Sequence, residues 1–99
     1  MKVLFDVNVP RPLRREQVMT AQAMGWGKLE NGDLVAAAEK AAFGVLITAD
    51  RNLRHQQNMT GRSIGLVVLP NNKLRLLRTQ APTIREALGK IKPGGQIEL

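Results

Sequence analysis

Short apolar runs that stop at an acid or a proline alternate along the chain with segments whose apolar positions recur every three or four residues. Val3-Leu4-Phe5 meets Asp6, and Pro10 biases Val9 away from helical backbone, so the pattern predicts a buried strand over 2–6 and a short basic helix near 12–16. Residues 17–25 carry mixed signals, because Val18 and Thr20 favour a strand whereas Ala21, Ala23 and Met24 favour a helical turn. Asn31-Gly32-Asp33 offers cap and turn chemistry ahead of Leu34, Val35, Ala38, Ala41 and Ala42, whose spacing predicts a helix over 34–42. Gly44-Val45-Leu46-Ile47-Thr48 predicts a second strand that ends at Asp50, with a helix or turn over 51–57 for Asp50 to cap. A third strand, 64–69, ends at Pro70. Leu74, Leu77, Ala81, Ile84, Leu88 and Ile91 form one apolar helical stripe with a kink or break at Pro82; Gly94-Gly95 stop it, and 96–99 predict an edge strand. Apolar strands alternating with helices predict an α/β class: one domain over 1–99, with a mainly parallel sheet of about four to five strands, helices on both faces and right-handed crossovers.

The chain has 99 residues and 43% hydrophobic content, enough for one modest core. It has no cysteine, which excludes disulfides, thiolate metal sites and cysteine nucleophiles, and its one histidine, His55, excludes a multi-histidine site within a chain. Any metal must be held by oxygen. Fifteen Lys and Arg against eight Asp and Glu give a net charge of +7, and arginine, whose fork suits phosphate, outnumbers lysine. That charge suggests a nucleic acid first and an acidic protein second. No apolar run approaches the ~20 residues of a membrane span, and Asp6 cuts the first run before a signal-peptide core forms. The expectation is a cytoplasmic protein with no membrane contact.

Two predicted strands end alike, in Val-Leu-Phe-Asp6 and Leu-Ile-Thr-Ala-Asp50, which puts an acid just past the carboxyl end of each. Ligands of open α/β sheets bind at that edge. Carboxylates converging there repel one another unless a cation bridges them, and oxygen ligands suit Mg²⁺ or Mn²⁺. Asp33, at the first turn of the helix that leads into the second strand, is the natural third member, and Glu30 lies just before it. Singly, the three have simpler roles as a turn residue, a first-turn dipole partner and a helix cap. An aspartyl-nucleophile phosphatase needs a second Asp where Asn8 stands, and Val7 and Pro70 fit a phosphoreceiver domain poorly. Metal-dependent phosphodiester cleavage remains.

Met1-Lys2-Val3-Leu4-Phe5-Asp6-Val7-Asn8-Val9-Pro10, Asn31-Gly32-Asp33-Leu34 and Leu46-Ile47-Thr48-Ala49-Asp50-Arg51-Asn52-Leu53, taken in order, resemble the PIN-like domains of unknown function. These are compact relatives of the PIN nucleases, which include VapC-type toxins, and the resemblance spans roughly residues 1–70. It implies an acidic pocket, a Mg²⁺- or Mn²⁺-dependent ribonuclease activity and a neighbouring antitoxin protein. By position, Asp6, Asp33 and Asp50 match the family's catalytic and metal-binding acids, Asn8 matches the Asn after the first acid, and Thr48 and Asn52 stand as supporting residues. The family commonly has further acids where Val7 and Asn52 stand. Two outcomes follow: an endoribonuclease that is the toxin of a toxin–antitoxin pair, or a catalytically degenerate module that binds RNA or a protein without cutting. Assembly as a homodimer stays open.

Arg11, Arg14 and Arg15 follow the first predicted strand, and Arg51, Arg54 and His55 follow Asp50. Arg11, Arg14, Arg51 and Arg54 are therefore the candidate clamps for RNA phosphates beside the acids. Arg75, Arg78, Arg85 and Lys92 share a helical face opposite the apolar stripe, where solvent is the simpler expectation and an RNA or antitoxin contact the sharper one. His55 is a candidate general base or a surface residue. Three aromatic residues are too few for a base-stacking platform.

Overall fold

The structure is a computed structural model that describes residues 2–6, 17–21, 23–29, 31–49, 61–70, 79 and 81–99. Its elements are β1 (Lys2–Phe5), β2 (Gln17–Thr20), α1 (Asn31–Lys40), β3 (Val45–Thr48), β4 (Gly65–Val68), α2 (Ala81–Lys90) and β5 (Gln96–Glu98). The helices expected near 12–16 and 51–57, and residues 71–78 of the apolar stripe, lie outside the described residues. The class is α/β, as the pattern predicts. All five strands are parallel, in the order β2-β1-β3-β4-β5.

The three inner strands β1, β3 and β4 are almost wholly apolar because both of their faces are covered. In β1, β3 and β4, Leu4, Leu46, Leu66 and Val68 point to one face, where Leu34, Val35 and Ala38 of α1 pack with Phe43 and Ile64. Val3, Phe5, Val45, Ile47 and Val67 point to the other, against Ile84, Ala87 and Leu88 of α2. The connections from β2 to β3 and from β4 to β5 step the same way along the sheet, yet their described helices cover opposite faces. As described, these two crossovers therefore differ in hand, whereas the sequence expectation was right-handed throughout.

Local chemistry explains the element ends. Thr20 closes β2, and its hydroxyl and carbonyl accept from the Ala23 and Met24 N–H groups at 3.1 Å each, so strand and turn signals meet at one residue. Pro82 stands within the described span of α2, and Thr79 ahead of it is helical too. A Cβ on Gly65 would meet Ile91 Cγ1 and the Lys92 carbonyl, so only glycine lets the end of α2 lie this close to β4. At the end of α1, the Phe43 N–H donates to the Ala38 carbonyl and the Ala42 N–H to that of Glu39, the two bonds of a Schellman motif. Ala42 is its left-handed residue, with φ 65°. A side chain in that conformation costs about 1 kcal/mol, so Ala42→Gly is expected to stabilise the protein by up to about 1 kcal/mol, read as a higher denaturation midpoint.

At the amino edge, Lys2 Nζ donates to the Ala41 carbonyl at 2.9 Å and lies 4.5 Å from the centre of the Phe43 ring. This ties the end of α1 to the start of β1, so α1 runs antiparallel to the strands and its first turn lies at the carboxyl edge. Glu39 ties α1 to the segment entering β4: it accepts from the Ser63 N–H at 2.6 Å, the Ser63 hydroxyl at 3.2 Å and Arg62 Nη1 at 3.2 Å. The Ser63 N–H, opposed by partial desolvation and helped by the Ser63 hydroxyl and Arg62, holds the Glu39 carboxyl below its ordinary value of 4.5. An acid held lower in the folded state adds stability that is complete above its unfolded pKa and is lost as the pH falls through the folded one. Glu39→Gln is thus expected to melt below wild type at pH 7, and the gap to close as the pH falls below about 4.5 and through Glu39's own lower pKa. Paired thermal melts across that window check it.

Candidate functional site

The strand order creates a switch point. From β1 the chain goes on to β2 on one side, and from β3 to β4 on the other, so the crevice outside the carboxyl ends of β1 and β3 is where a parallel sheet of this order takes its ligand. Asp6 and Thr48 stand there. The register pairs Leu4 with Leu46 and Phe5 with Ile47, which puts Asp6 opposite Thr48 one step further on. The Asp6 N–H continues the ladder to the Ile47 carbonyl at 2.9 Å, fixing its main chain to β3.

Side-chain alternation turns Asp6 and Thr48 to the α1 face, and Thr48 Oγ1 donates to Asp6 Oδ2 at 2.9 Å. Asp6 is 8% exposed and Thr48 is fully buried. A turn acid would sit in water, whereas this carboxylate is buried against a hydroxyl, an arrangement that is costly without good partners. Asp33, the third residue of α1, is exposed at the helix end that lies at the carboxyl edge, on the face to which Asp6 turns. Its first-turn position also complements the helix dipole.

The structure thus brings Asp6 and Thr48 into contact and places Asp33 on their edge and face. Asp50, Asn8, Asn52, Arg11, Arg14, Arg51 and Arg54 lie outside the described residues, as do Glu30, Arg15 and His55. Among the described residues, no three acidic or histidine side chains come together. Glu98 was not singled out in the sequence. Its register with Val68, itself paired with Thr48, puts it on the same edge, but three strands from Asp6 at about 4.8 Å each is too far for one shared ion. No described helix is long and apolar enough to cross a membrane. No protein-family model, curated protein or solved structure matches this chain.

Proposed function

We propose that the crevice between the carboxyl ends of β1 and β3 binds a divalent cation and RNA, and that the protein is a Mg²⁺- or Mn²⁺-dependent endoribonuclease of the PIN-like kind. In this reading it is the toxin of a toxin–antitoxin pair. The observation that carries the proposal is the buried Asp6 carboxylate, held by the Thr48 hydroxyl at the switch point of a parallel sheet. A carboxylate and a hydroxyl are hard oxygen donors, and a chain without cysteine offers no softer set, so these residues fit Mg²⁺ or Mn²⁺. Asp6, Asp33 and Asp50 would hold the ion. When bound, it supplies Lewis-acid polarisation of a phosphoryl oxygen and a more acidic water.

The chain's own residues do the positioning. Thr48 fixes the orientation of the Asp6 carboxylate, and the Asp6 N–H bond to Ile47 fixes its height above the sheet. By their place in the sequence, Asn8 and Asn52 would support the acids, and Arg11, Arg14, Arg51 and Arg54 would hold the flanking phosphates. Val7 and Asn52, where the family commonly has acids, favour the second reading, a module that binds RNA or a protein without cutting.

Incubating labelled single-stranded RNA with the protein in EDTA and in Mn²⁺ separates the two readings, with Asp50→Asn as the control for contaminating nucleases. The nuclease reading predicts cleavage only in Mn²⁺ and none by the variant. RNA bound under both conditions and left intact supports the second reading, and no binding at low salt removes RNA from both, leaving a module that binds an acidic protein.

A further inference from the structure

We infer that the outer side of α2 is a phosphate track, on which the backbone of single-stranded RNA lies along the side of the molecule away from α1. The inference rests on RNA being the ligand, and it names the surface the strand takes outside the crevice. Five of the seven net positive charges fall within residues 71–92, where Glu86 is the single acid. On α2 that acid is already engaged, because Lys90 Nζ donates to Glu86 Oε1 at 2.8 Å. Arg85 and Lys92 are exposed, and neither is paired with a carboxylate among the described residues.

Helical bonding continues past Lys90, since the Ile91 N–H still donates to the Ala87 carbonyl at 2.9 Å. Arg85 stands on the exposed side of α2, and Lys92 stands two residues past the last residue of the helix, so exposed cations occur both within α2 and just beyond its end. Gly89 lies about one turn on from Arg85, on the exposed side of α2. It is exposed, and a Cβ there would meet nothing within 4 Å, so packing does not require glycine at this helix-interior position. The result is bare helix backbone flanked by two uncompensated cations, a surface that a sugar–phosphate chain can approach closely. The outer side of α1 offers no such surface: Asp33 offsets Lys40, and Glu39 is neutralised by Arg62. The difference in charge between the two helices commits the strand to the α2 side.

Fluorescence anisotropy of labelled oligouridine in EDTA, titrated with protein over a range of salt, tests this without any cleavage. Each phosphate contact on a single strand adds about −0.7 to the log–log slope of affinity against salt. Combining Arg85→Gln with Lys92→Gln is expected to make the slope shallower by about 1.4, and Glu86→Gln, which frees Lys90, to make it steeper by about 0.7. Lys40→Gln on α1 is expected to leave it unchanged. All four residues are exposed, so these variants keep the fold. An unchanged slope in the α2 double variant overturns the track, as does an equal change in Lys40→Gln, or no RNA binding by wild type at low salt. The nuclease reading fails separately: α2-dependent binding with no Mn²⁺-dependent cleavage removes the enzyme and leaves the track, and cleavage with no α2 dependence does the reverse.

Discussion

On the nuclease reading, Asp6→Asn is expected to slow Mn²⁺-dependent RNA cleavage by about 10²-fold or more, equivalent to about 2.7 kcal/mol of barrier. The substitution is nearly isosteric. The Asn side chain keeps an oxygen to accept the bond that Thr48 Oγ1 now donates at 2.9 Å, and its main chain keeps the bond to Ile47. What it removes is one negative charge at the switch point of the sheet. The cost to stability should be small, about 1 kcal/mol, because a charge-assisted hydrogen bond becomes a neutral one. Initial rates with labelled RNA, set beside a thermal melt of the same preparation, separate the two effects. A variant that cuts as fast as wild type would contradict the assignment of Asp6.

Phe5→Ala is expected to cost about 3 to 5 kcal/mol of stability, a large part of the roughly 5 to 15 kcal/mol that holds a typical domain together. Phe5 is 1% exposed and ends the inner strand β1, where it packs with Ile47, Val67, Ile84 and Leu88 on the α2 face. Alanine would leave a cavity between sheet and helix that the five-stranded frame can close only by moving α2. The same residue immediately precedes Asp6, so cleavage should fall with the fold. Urea denaturation of variant and wild type gives the number. A loss below about 1 kcal/mol would mean that α2 is not seated on this face as described.

The apolar runs at Val3, Val45 and Leu66 made three strands legible, because a strand covered on both faces is apolar at every position and is bounded by whatever breaks the run. The turn after Thr20 was half legible: one residue ends β2 and caps the turn, so both signals were real and their boundary was hidden. α1 begins three residues earlier than its apolar spacing indicates, because Asn31, Gly32 and Asp33 form its first turn without contributing to the stripe. Helices on both faces followed from strands apolar on both sides, but which helix meets which face could not be read, since periodicity says which side of a helix is buried and not which face of the sheet it meets. At the site, the acids were visible as strand ends. The contact between Asp6 and Thr48 was not, because it depends on β1 and β3 being neighbours in a fixed register 42 residues apart in sequence.

The most direct test of a cation site at the β1–β3 crevice is calorimetric titration of Mn²⁺ into wild type and into Asp6→Asn, with no RNA present. If the Asp6 carboxylate holds the ion, wild type binds Mn²⁺ in the micromolar to millimolar range and the variant binds it at least about 10-fold more weakly. The same affinity in both proteins, or no binding to wild type at millimolar Mn²⁺, would contradict the site.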